Sequence, residues 1–309
     1  MYADDWTLDL GLQVADEPPP LTTAQGAKRS VSGMVDECIE SGAATSLDDL
    51  IRQVSNFRQY RLFNALLAVL QLPNPRLLLP AHEWASRWRR TIRPEQRPLV
   101  LLLPNGPVMF LYDVSQTEGN TDSRSLPAAL QNPYAMKHVR DADYALSWLS
   151  KNAKHDGVRI TEGRRGQSSA GHIKRSLSGQ KMRVDSRDGQ VVAEMVTVRF
   201  ECMLNQSYSE TERLATLAHE LGHLYCGHLG SGADDWWPTR TELSHEQDEF
   251  EAETAAQLAF RRIAPAAKLP DHLDQYNIDE NRIDADWGAI TRAADRIIAM
   301  SQGSSPKRR

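Results

Sequence analysis

Between positions 47 and 70 apolar side chains recur every three or four residues. Leu47, Leu50, Ile51, Val54 and Phe57 form one stripe, and Phe63, Leu66, Leu67 and Leu70 a second that stops before Pro73. This spacing gathers apolar groups on one side of a helix, and Ser46 offers a side-chain oxygen to the first unpaired amides. The pattern then shortens to strand-like runs at 100–103 and 109–114 around a turn at Asn105-Gly106-Pro107. Residues 115–133 are polar and turn-rich, which places a domain boundary there. Further helices are predicted over 142–154, 210–227, 247–262 and 285–300, and a strand within 191–203. The basic, Gly- and Ser-rich stretch 163–189 reads as a hairpin or loop. The element order predicts an α+β protein, with a small α+β domain at 31–125 and a larger one at 126–300. Residues 1–30, acidic and with three prolines at 18–20, read as a disordered tail, and 301–309 as a short basic tail.

Charge adds an asymmetry to this pattern. The net charge of −5 conceals a block at 51–100 with nine arginines, no lysine and two glutamates, flanked by acidic stretches. A block of one sign points to a polyanion-facing surface in the first domain. No run of about 18 apolar residues is present, so no transmembrane helix is expected. The three cysteines, Cys38, Cys202 and Cys226, form no CxxC pair. That argues against a disulfide framework and places the chain in the reducing cytoplasm.

The segment His219-Glu220-Leu221-Gly222-His223 is an HExxH sequence. Positions i and i+4 stand one turn apart on a helix face, so two imidazoles can address one zinc ion. Glu220 beside them is placed as the general base for a zinc-activated water. Ser209 and Glu212 form an S-x-x-E capping box before the run, and Leu214, Leu217, Ala218 and Leu221 give the helix a buried side. A catalytic zinc needs a third protein ligand, for which His228, His245, Asp248, Glu249, Glu251 and Glu253 are candidates. No histidine completes the HExxHxxGxxH pattern of metzincins. That leaves a gluzincin-like arrangement, in which an acid on a second helix closes the site. Ala252, Ala255 and Ala256 would let that helix pack closely.

With these residues in view, 217–223 followed by Glu249-x-Glu251-Ala252-x-x-Ala255-Ala256 resembles the ImmA/IrrE family of metallopeptidases. The resemblance implies Glu251 as the third zinc ligand, with Glu249 in reserve. In the first half, Asn64-Ala65-Leu66-Leu67, Gln71, Trp84 and the string Asp113-Val114-Ser115-Gln116-Thr117-Glu118-Gly119 resemble the N-terminal domain of ArdC-type antirestriction proteins. That resemblance implies single-stranded DNA as a partner. The bottom-up reading agrees, because single strands bind basic grooves carrying aromatic faces. Tyr60, Arg61, Trp88, Arg89 and Arg90 are the candidate contacts, with most other aromatics expected in the core.

Together these features predict a zinc metallopeptidase with His219, His223 and Glu251 as ligands and Glu220 as catalytic base. Its relatives suggest that it cleaves a protein partner, such as a transcriptional regulator, in a regulatory role. The strand near 196–203 is expected to pair with an extended substrate. The competing reading is an antirestriction or DNA-protecting binding protein with a non-catalytic zinc site. An intact Glu220 argues against a purely structural metal, which needs no base.

Overall fold

The computed structural model describes residues 24–303, apart from 59, 104–106, 127–141, 165–169, 186–193 and 271–283. Residues 1–23, most of the expected N-terminal tail, and 304–309 of the basic tail therefore lie outside the described residues, as do two of the three residues of the expected turn at 105–107. Residues 24–30, read as tail, instead begin the first helix, α1 (Ala24–Glu40).

Two more helices follow, α2 (Leu47–Asn56) and α3 (Leu62–Gln71). The Ser46 side chain accepts from the Asp49 amide, as the stripe and cap predicted. The start of α3 lacks a cap of its own, and the half-buried Asp295 carboxylate accepts the Leu62 amide at 3.1 Å. Next come β1 (Leu78–Leu79), α4 (Ala81–Trp88), β2 (Arg90–Ile92), β3 (Leu99–Leu102), β4 (Val108–Asp113) and β5 (Thr117–Gly119). β4 lies between β1 and β3, antiparallel to both, and β2 pairs with β5. The outer edge of β3 is closed by α3: Asn64 exchanges both of its amide bonds with Leu102, and Gln71 does the same with Val100. Two side chains thus stand where a neighbouring strand would, which blunts an aggregation-prone edge.

The second half opens with α5 (Ala142–Ala153), β6 (Val158–Gly163), β7 (Gly171–Arg175), β8 (Lys181–Val184), β9 (Glu194–Thr197) and β10 (Phe200–Asn205). It closes with three helices, α6 (Glu210–Cys226), α7 (His245–Ile263) and α8 (Trp287–Ser301). β10 sits between β6, to which it is parallel, and antiparallel β7, while β8 and β9 form a separate hairpin. The single strand expected in 191–203 is thus split. Its second part has both edges paired, so it cannot accept a substrate strand; β6 and β7 are the outer strands of this sheet.

The expected boundary near residue 125 separates elements but not cores. One apolar cluster runs from Val31, Leu50 and Leu66 through Leu149, Leu217 and Phe260 to Met300. Among the described residues, a small satellite of Leu77, Trp84 and Trp88 lies apart, under α4. From α7, Arg262 donates to the carbonyls of Val54, Phe57 and Tyr60 at 2.7–3.0 Å, satisfying the C-terminal end of α2.

Candidate metal centre

α6 is started by a complete capping box: Ser209 Oγ accepts from the Glu212 amide, and Glu212 Oε2 accepts from the Ser209 amide at 2.8 Å. Leu214, Leu217, Ala218 and Leu221 are fully buried, which fixes the rotation of the helix and turns His219 and His223 to one side. Their Nε2 atoms lie 3.2 Å apart.

α7 crosses α6 almost backbone to backbone. A Cβ on Gly222 would fall 2.7 Å from the Ala252 carbonyl oxygen, so the crossing requires glycine on one helix and tolerates alanine on the other. This close approach brings Glu249 to the imidazoles, Oε2 at 3.4 Å from His219 Nε2 and Oε1 at 3.4 Å from His223 Nε2. The sequence reading expected Glu251 as this third group. Glu251 leaves α7 on another side, is fully buried, and is bound by both Nη atoms of Arg240, by His228 Nε2 at 3.1 Å and by the Asp286 amide at 2.7 Å. The other candidates are also elsewhere. Glu253 is buried beside Gln257, Asp248 faces His228, and the exposed His245 lies 3.7 Å from Glu249 on its outer side.

The donor set can be tested against the ion. Zinc bonds to nitrogen and carboxylate oxygen at about 2.0–2.1 Å, so tetrahedral ligand atoms sit about 3.3 Å apart. The Nε2–Nε2 separation of 3.2 Å matches that edge, each imidazole has a different Glu249 oxygen 3.4 Å away, and two imidazoles with one carboxylate are a borderline-soft set suited to zinc. The residues present therefore fit the metal.

Electrostatics distinguish the carboxylates. Burial pushes the Glu220 carboxyl up to about 7; His219 and an amide bond from Ile173 on β7 pull it down, and the Glu249 charge adds to the rise. Burial also raises Glu249, but the two imidazoles facing it outweigh that and leave the group well below the usual carboxylate range. For Glu251, burial is outweighed by Arg240, His228 and the Asp286 amide, which hold it at about 2.

The candidate nucleic-acid contacts are scattered. Arg61 and Arg89 are exposed, and Tyr60 is half-buried, stacked on Phe57 with ring centroids 5.2 Å apart. Arg90 is tied to Thr117 Oγ1 at 2.7 Å. Trp88, expected on the surface, is only 7% exposed and packs with Leu77 and Trp84. Phe110, which was not singled out, is 59% exposed on the outer face of β4. Strand alternation carried the signal: buried Leu111 faces the core, so its neighbour must face out.

Fold and site together define a metallopeptidase-type domain. Residues 182–298, which span α6, α7 and most of α8, match the family model described as the IrrE N-terminal-like domain, Peptidase_M78. Two solved structures of the antirestriction ArdC protein from the R388 plasmid are also similar to the chain. The Mn(II)-bound form is 14% identical with a TM-score of 0.38, over 89% of this chain and 98% of that one. The metal-free form is 12% identical with a TM-score of 0.40, over 91% of this chain and 99% of that one. Both families suggested by the motifs thus return in the comparisons. No curated protein matches the chain.

Proposed function

We propose that this chain is a zinc-dependent metallopeptidase of the cytoplasm that cleaves a protein partner in a regulatory role. The observation that carries this reading is the convergence of His219, His223 and Glu249 next to the buried Glu220 carboxyl. His219, His223 and Glu249 would hold zinc, which when bound polarises a scissile carbonyl and acidifies water. Glu220 is the base. Its carboxyl, raised by burial, suits both removal of a proton from the attacking water and delivery of that proton to the departing amine. The Ile173 amide bonds that carboxyl and orients it. β7, the outer strand beside α6, replaces the 196–203 segment as the edge on which an extended peptide can add by main-chain pairing.

A nucleic-acid contact on the first half is supported by a separate observation. Phe110 shares an outward sheet face with Val100 and Leu102, and Arg61, Arg76, Arg87, Arg89, Arg93 and Arg97 are all exposed in the same half. Aromatic stacking with phosphate neutralisation is the chemistry of single-stranded DNA binding.

Glu220→Gln separates a peptidase from a binding protein of the antirestriction kind. The variant keeps the size of the side chain and removes the base. It is expected to fold, keep its zinc, and lose cleavage roughly a hundredfold or more. The readout is new protein N-termini in cells expressing either form. Identical N-termini from wild type and Glu220→Gln would end the peptidase reading.

A further inference from the structure

Behind the metal-facing edge of His223 lies a second set of polar groups, almost wholly shut off from solvent. α6 ends at Gly227, whose φ of 95° turns the chain back and lets the His228 amide bond the His223 carbonyl at 3.0 Å. The His228 ring, with 2% of its side chain exposed, then lies against His223, their Nδ1 atoms 3.1 Å apart. On its other side His228 Nε2 is 3.1 Å from Glu251 Oε2. Arg240 grips both oxygens of that carboxylate, with Asp286 Oδ2 4.0 Å from its Nε. The Cys226 thiol lies within the same cluster, kept protonated by burial first and by the Glu251 charge second. Arg240 on both oxygens makes this cluster a hydrogen-bond network and leaves no place in it for a second cation.

The network has a direction. A carboxylate paired with arginine only accepts, so the proton between Glu251 and His228 resides on His228 Nε2. With its proton on Nε2, the His228 ring presents a lone pair at Nδ1. The only proton that can fill the 3.1 Å gap between the two Nδ1 atoms then belongs to His223. With Nδ1 protonated, His223 turns its Nε2 lone pair toward His219 and Glu249.

We infer that His228 and Glu251 are positioning residues: through the chain Arg240–Glu251–His228 they fix His223 in the tautomer that binds metal through Nε2. Its consequence for metal rests on the metal-centre reading above, whereas the tautomer does not. Metal-ligating histidines are commonly oriented by a carboxylate on the far nitrogen; here a second histidine relays that carboxylate. His219 has no such support, since its Nδ1 finds no hydrogen-bond partner among the described residues.

The test has two arms. In the first, nitrogen NMR of histidine-labelled, metal-free full chain reads the tautomers directly. His228 is expected with its proton on Nε2 and His223 with a proton on Nδ1; a proton on His228 Nδ1 would overturn the inference. In the second, zinc affinity is measured by chelator competition for wild type, His223→Ala, His228→Phe and His228→Gln, with folding followed by circular dichroism. His228→Phe keeps the bulk and removes the acceptor, so affinity should fall about 10–100-fold. His228→Gln offers a carbonyl oxygen to His223 Nδ1–H and should recover most of it, a rescue that a merely space-filling role would not give. Loss of zinc in His223→Ala with wild-type affinity in His228→Phe would refute the relay and spare the metal centre. Full zinc retention in His223→Ala would instead sink the metal centre, leaving the tautomers to decide the relay.

Discussion

Glu249 and Glu251 are two positions apart on α7, so their side chains leave the helix about 200° apart. One meets the imidazoles of α6 and the other meets Arg240 and His228. The HExxH pair was readable because its spacing is internal to one helix. The choice between the two glutamates was not, because it depends on how α7 is rotated against α6. The string 113–119 shows the same limit. Asp113 is buried, accepts the amides of Arg76, Leu77 and Ser115, and forms a capping box with Gln116. Those polar residues build a turn and present little to a nucleic acid. If the first half binds single-stranded DNA, Phe110 is the stacking face and Trp88 is packing. Titration of the full chain with a fluorescent oligothymidylate should show binding that weakens as salt rises. Phe110→Ala should weaken it about tenfold or more without lowering Tm, on the scale of about 1–3 kcal/mol per stacked base. Salt-insensitive binding, or no effect of Phe110→Ala, would point to a protein-interaction surface.

At the scale of elements, the centre depends on how closely α6 and α7 approach. Gly222 sets that distance, since an added Cβ would also lie 3.0 Å from Ala252 Cα. Gly222→Ala must push the helices apart, at a cost of about 1–3 kcal/mol for overpacking. Glu249 would move away from the histidines with α7. Thermal melting and zinc titration of this variant should therefore fail together; a normal Tm with normal zinc affinity would show that the contact does not position Glu249. Helices with strong caps and long stripes, α2 and α6, were legible in the sequence. α4 was not: it has eight residues, starts after Pro80 without a side-chain cap and buries only Trp84 and Trp88. The 163–189 region read as either hairpin or loop for a related reason. β7 is edge-paired and its residues Lys174 and Arg175 are exposed, so no apolar alternation marks it.

For the whole molecule, the first three helices complete the core of the second half. Arg262 is the polar counterpart of that packing, with three carbonyls of the α2–α3 region on one guanidinium. Burial lowers its pKa to about 10, still far above neutral, so it remains a cation. Arg262→Met fills similar space and strands those acceptors, at about 1–3 kcal/mol for each one left unpaired. Hydrogen exchange should then quicken in α2, α3 and α7 together, with a single lowered thermal transition. Loosening of α2 alone would mean that the halves fold independently, as the polar stretch at 115–133 had suggested.

The most direct test of the central claim is the zinc affinity of Glu249→Ala against wild type. A ligand at the metal should cost more than the 10–100-fold typical of an outer-shell residue. The account predicts one tightly held zinc per wild-type chain and a loss well beyond a hundredfold in Glu249→Ala. Wild-type zinc affinity in Glu249→Ala would contradict it.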